Sequence, residues 1–168
     1  MSNSAALPSV TLVKIDKEEF RLYAKWSAKN YADNLVSSGT EKCRLKALID
    51  AKKEYKDVFP DGSDTKDNYL YIVTNEKNEK IGVIGYQKSP FEDNAAFIIE
   101  NVIKEEYRGK GYGKSALVKL QEDAREKGFP KIVLNAFKHS PISFGMYQRN
   151  GFKIIEDYDG SVIMEKYL

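Results

Sequence analysis

The chain has 168 residues, 42% hydrophobic and 31% charged, with a formal net charge of +2. That length buries a core of its own, the composition leaves no room for wholesale disorder, and so slight a charge, spread along the chain, gives no footing for nucleic acid. A single cysteine, Cys43, and a single histidine, His139, exclude a disulfide and any metal cluster built on those residue types, and no apolar run reaches the roughly 18–20 residues of a membrane span. The polar start, Met1 to Ser9, lacks the basic-then-apolar pattern of a signal peptide, so a cytoplasmic protein without a membrane partner is expected.

Val10–Ile15 alternates as a short strand. Asp16 stands where a helix N-cap belongs, and Phe20, Tyr23, Trp26, Tyr31 and Leu35 recur at near-helical spacing as far as about Ser37. A second helix is expected over Glu41–Asp57, with Leu45, Leu48, Ile49 and Tyr55 on its buried side and Cys43 as packing. The turn-rich run Phe59–Asp67 is a loop. Tyr69–Thr74 and Ile81–Gln87 read as strands of a hairpin, and Ala95–Ile103 as a third. Gly111–Lys127 carries Ala116, Leu117, Leu120 and Ala124 on one helical face and stops at Gly128-Phe-Pro130. Lys131–Phe137 is a strand, Pro141–Arg149 a short helix closed by Asn150-Gly151, and Phe152–Tyr158 with Ser161–Lys166 a terminal hairpin. There is no repeat or linker, so one mixed α/β domain over residues 1–168 is expected.

Tyr107-Arg-Gly-Lys-Gly-Tyr-Gly-Lys-Ser115 lies between a strand and a helix. Three glycines at alternate positions let the backbone approach a ligand and turn successive N–H groups into one concavity. The helix start adds unpaired N–H groups and the positive end of its dipole, and Arg108, Lys110 and Lys114 add cationic charge. Chemically this is a pyrophosphate cradle. A P-loop would need glycine where Arg108 stands; a dinucleotide fold would need an acidic residue closing the next strand, which ends in Ala136-Phe137-Lys138. A glycine-rich turn that binds nothing is the remaining alternative.

The loop resembles the signature of the GNAT acetyltransferase superfamily, Arg or Gln, two residues, Gly, one residue, Gly or Ala, filled here by Arg108, Gly111 and Gly113. A second block, Leu134 to Phe152, resembles the family's strand-to-helix segment ending in Tyr, three residues, Gly-Phe, with Tyr147, Gly151 and Phe152 in those places. The resemblance implies a mostly antiparallel twisted sheet flanked by about four helices, with central strands splayed to admit acetyl-CoA. It implies that Arg108, Gly109, Lys110, Gly111, Tyr112, Gly113 and Lys114 hold the pyrophosphate, that the main chain of Val102 and Ile103 meets the pantetheine arm, and that Tyr147 protonates the leaving thiolate. Many members carry asparagine where Ser140 stands; serine keeps a hydrogen-bonding group there with shorter reach. A homodimer through an added strand or helix would suit the family.

Aminolysis of a thioester needs a neutral amine, hence a base to take its proton, and a donor for the developing oxyanion. Glu100, a carboxylate in the apolar strand Phe97–Ile103, is the candidate base; the alternatives are a solvent-facing or structural carboxylate, or a water chain. His139 reads as a solvated loop residue, and the aromatic stripe Tyr23, Trp26, Tyr31 as core or as acceptor-pocket lining. Asp61, Asp64 and Asp67 read as a solvated loop or an attraction for a cationic acceptor. The expected function is N-acetyl transfer from acetyl-CoA to a primary amine of a small molecule or peptide, without a metal. The alternatives are an acetyl-CoA-binding module without turnover and a nucleotide-binding protein.

Overall fold

The structure, a computed structural model, describes residues 6–168. In chain order these form β1 (Val10–Lys14), α1 (Lys17–Ser37), α2 (Arg44–Val58), β2 (Asn68–Asn75), β3 (Lys80–Lys88) and β4 (Ala95–Ile103). There follow α3 (Tyr112–Glu126), β5 (Lys131–Phe137), α4 (Pro141–Arg149), β6 (Lys153–Asp157) and β7 (Ser161–Tyr167). The mixed α/β class and the four helices agree with expectation. The chain divides into two compact units. No described helix is long and apolar enough to cross a membrane.

Among the described residues, the first unit holds 6–14, Tyr69–Ile132 and Tyr167–Leu168. Its strands lie in the order β1-β2-β3-β4, with β1 antiparallel to β2 and β3 to β4. Helix α3 packs on β1, β3 and β4. The four residues read as its buried face, Ala116, Leu117, Leu120 and Ala124, are all at 0% exposure. Each leucine so buried stabilises by about 1.5–3 kcal/mol. Asp123 reaches from the same helix to the hydroxyls of Tyr71 and Tyr86.

The second unit holds Ile15–Asn68 and Val133–Lys166. Its strands run β5-β7-β6, with β6 antiparallel to β7. Helix α1 begins as its sequence dictates: the Asp16 carboxylate accepts the N–H of Glu19 at 2.8 Å, a cap worth about 1 kcal/mol. Phe20 and Tyr23 join Tyr55 and Phe59 in an aromatic cluster.

Helix α2 departs from expectation in three ways. It starts at Arg44, because the Glu41 carboxylate accepts the N–H groups of Lys42 and Cys43 and pairs with Lys46, which keeps Glu41 outside the helix. Those bonds, Lys46 first, hold the Glu41 carboxyl down at about 2. Its buried side is Ala47 and Ala51; Leu45 and Ile49 are 69% and 59% exposed. The two alanines pack with Ala32 of α1, and Tyr31, Leu35, Val36 and Leu48 close round them. Small residues let the two helix backbones approach, so Leu45 and Ile49 fall to the outside, while Leu48 and Tyr55 keep the inward places expected of them. Cys43, expected as packing, is exposed at the N-cap, and its side chain makes no capping hydrogen bond. On α1, Trp26 is likewise 42% exposed, whereas Tyr23 is core.

Candidate active site

In the first unit, β4 ends at Ile103 and the chain makes one 3₁₀ turn, Glu105–Tyr107, before Arg108. Gly109 and Gly111 then take left-handed φ values of 73° and 89°, a conformation that costs other residues about 1 kcal/mol or more. A Cβ on Gly109 would meet nothing within 4 Å, so backbone conformation alone calls for glycine there. At Gly111 a Cβ would also press on Pro8 Cδ at 3.0 Å. Gly111 caps α3, and the N–H of Ser115 donates to its carbonyl at 3.0 Å. The N–H groups of Tyr112, Gly113 and Lys114 therefore have no carbonyl within the helix.

Two of the three cations are tied to backbone carbonyls. Arg108 Nε donates to the Ile103 carbonyl at 2.8 Å, and Lys110 Nζ to the Glu106 carbonyl at 2.8 Å. Lys110 also lies 5.6 Å from the centre of the Tyr107 ring. Lys114 is exposed. Tyr112 is buried, and its hydroxyl donates to the Glu76 carboxylate, 3.0 and 3.2 Å from its two oxygens. Burial and then Glu76 raise the Tyr112 phenol above its ordinary value; the backbone N–H of Glu76 itself and the Tyr112 hydroxyl lower the Glu76 carboxyl.

Glu100 sits beside an irregularity that the sequence does not announce. Gly85 pairs with Glu100 and Tyr86 with Ile98, so Ile99 has no residue opposite it in β3. This bulge breaks the alternation, and Ile99, Glu100, Asn101 and Val102 are all partly exposed in succession. A Cβ on Gly82 of β3 would lie 2.3 Å from the Val102 carbonyl oxygen, so glycine admits the close approach of the two strands there.

In the second unit, Ser140 caps α4 and Pro141 opens it. The Ser140 hydroxyl donates to Ser143 Oγ at 3.1 Å. Tyr147 lies seven residues on, two turns along the same helix face. It is 8% exposed, its ring centre 5.6 Å from that of Phe152 in an edge-on contact. Gly151 (φ 86°) reverses the chain so that the Phe152 N–H donates to the Tyr147 carbonyl at 3.1 Å. The Tyr, three residues, Gly-Phe spacing is thus the closure of this helix. His139 is exposed, with Nε2 3.1 Å from Asn34 Oδ1, and Asp64 pairs with Lys17. Sequence reasoning missed Pro8, whose carbonyl accepts the Ser115 hydroxyl at 2.7 Å, and Glu76; their sequence distance from the loop leaves no local signal.

The loop and the helix closure carry the two signature blocks, and the sequence profile of the Acetyltransferase (GNAT) family matches residues 34–152. The chain belongs to this family. Among its relatives, YdgE of Bacillus subtilis strain 168, an uncharacterized N-acetyltransferase, is 32% identical over 143 residues, 84% of this chain and 90% of that protein. YycN of the same organism, also an uncharacterized N-acetyltransferase, is 30% identical over 161 residues, 95% of this chain and 99% of that protein. The YycN crystal structure matches with a TM-score of 0.84 over 89% of this chain and 96% of that one. The PaiA N-acetyltransferase of Thermoplasma acidophilum, solved in complex with coenzyme A, shares the fold at 20% identity and a TM-score of 0.67, covering 95% and 99% of the two chains. Membership of the GNAT family makes the protein an acetyl-transferring enzyme.

Proposed function

We propose that the protein moves the acetyl group of acetyl-CoA to a primary amine by direct attack of the amine on the thioester. The observation that carries this reading is the glycine loop: two left-handed glycines, the open N–H groups of a helix start and three cations around one turn suit a pyrophosphate. The donor set fits the group, since every element of it is a backbone N–H or a cation. Residues Arg108 to Lys114 hold the pyrophosphate, the main chain of Val102 and Ile103 meets the pantetheine arm, and Ser140 offers a hydroxyl to the same arm. Bound acetyl-CoA supplies an activated acetyl group.

The residues of the chain then have two proton tasks. Glu100 takes the proton that an ammonium must lose before its nitrogen has a lone pair. The Tyr147 hydroxyl gives a proton to the departing thiolate, which lowers the cost of breaking the carbon–sulfur bond. The kinship with YdgE and YycN, both N-acetyltransferases, supports nitrogen as the acceptor atom.

The test is release of CoA thiol from acetyl-CoA against a panel of polyamines, amino acids, aminoglycosides and peptides, with wild type and Tyr147→Phe. Release that depends on one amine class, and a fall of about 100-fold or more in kcat for the variant, is expected. Tight acetyl-CoA binding with no release across the panel would instead make the protein a binding module. An undiminished Tyr147→Phe rate would remove that residue from the chemistry.

A further inference from the structure

We propose that Glu76, in the turn between β2 and β3, is a positioning residue for the acetyl-CoA loop and acts through the hydroxyl of Tyr112. The inference rests on the reading of that loop as the pyrophosphate site. Tyr112 is the first residue of α3, so its placement sets the direction of the N–H groups that open the helix. Its hydroxyl is shared between both oxygens of Glu76, at 3.0 and 3.2 Å. A carboxylate acceptor makes this a charge-assisted bond, stronger than one between neutral groups.

The turn that carries Glu76 is itself stiff. Asn75, 5% exposed, accepts the N–H groups of Lys77 and Glu79 at 3.0 and 2.9 Å and donates to the Glu79 carboxylate at 2.6 Å. Asn78 completes the turn in a left-handed conformation, φ 61°. A second tie holds the same helical turn, through the Ser115 hydroxyl on the Pro8 carbonyl and Pro8 against Gly111. The loop is therefore fixed from outside itself before any ligand arrives, which spares binding the cost of ordering it.

The charge of Glu76 makes the inference decidable by sign. A carboxylate near an anion site repels the anion, so a residue acting only through its field would weaken CoA binding. Removing such a charge would tighten binding; removing a positioning bond loosens it. The experiment is a calorimetric titration of CoA into wild type, Glu76→Ala, Glu76→Gln, Tyr112→Phe and the Glu76→Ala/Tyr112→Phe double variant. It is paired with hydrogen exchange of the loop amides in the free proteins and with steady-state kinetics on the acceptor found.

Glu76→Ala is expected to raise the Kd of CoA about tenfold, with glutamine, which keeps an acceptor oxygen, recovering part of the loss. The double variant is expected to bind no worse than the weaker single one, since both remove the same bond. Amides of residues 107–115 should exchange faster in Glu76→Ala, and the KM for acetyl-CoA should rise while kcat holds within about twofold. Equal or tighter binding in Glu76→Ala, or unchanged loop exchange, overturns the proposal while leaving the loop as the CoA site. Wild type that binds no CoA overturns the loop reading and this inference with it.

Discussion

Asp123 collects three donors on one carboxylate: the hydroxyls of Tyr71 and Tyr86, at 2.8 and 2.7 Å, and the ammonium of Lys127. Burial pushes its carboxyl up, but Lys127, Tyr86 and Tyr71 together outweigh burial and the net shift is downward. A depressed acid contributes stability above its unfolded value, near 4, and loses it as pH falls through the lower folded value. The phenols run the other way: burial first and Asp123 second raise both Tyr71 and Tyr86, so their contribution holds below about 10 and is lost as pH rises. Asp123→Ala strands the hydroxyl of Tyr86, which is at 0% exposure. A loss of about 2–3 kcal/mol in urea unfolding at pH 7 is expected, with a flatter acid limb of the stability curve. A loss under about 0.5 kcal/mol would mean that the network contributes nothing net. Tyr147→Phe is the contrasting case, since the ring contact with Phe152 survives. Stability within about 1 kcal/mol of wild type is expected beside the collapse of activity; an unfolded variant would make the residue structural.

Helices α2 and α3 differ in how plainly their sequences state which side is inside. In α3 the large apolar residues Leu117 and Leu120 share one face with Ala116 and Ala124, and the face read from spacing is the face found. In α2 the leucines and isoleucine outweigh the alanines in any hydrophobicity pattern, yet close approach to α1 requires the small residues. Ala51→Leu should therefore overpack the seam and cost about 1–3 kcal/mol, whereas Leu45→Ser should change stability by less than about 0.5 kcal/mol. Thermal or urea unfolding of the two variants measures the difference, and the reverse order would contradict the packing described. Strand β4 was legible in both its limits, but the run Phe97-Ile-Ile99 has no alternation to interrupt, so its bulge at Ile99 was not. The glycine loop was legible because its chemistry is local. The bond from Tyr112 to Glu76 spans 36 residues, and nothing in either segment names the other.

At the scale of the whole molecule, the family match covers residues 34–152, and the likeness to YycN in sequence extends over 95% of the chain. The family likeness therefore extends over nearly the full length of the chain. Mass spectrometry after incubation with isotopically labelled acetyl-CoA separates direct passage of the acetyl group to an amine from passage through the protein, reading the acceptor and the intact protein in one experiment. Label is expected on the nitrogen of the acceptor, with the protein unmodified when acetyl-CoA is supplied alone. Label held on the protein and passed on from there, at exposed Cys43 for example, or label on no acceptor that releases CoA, would contradict direct transfer to an amine.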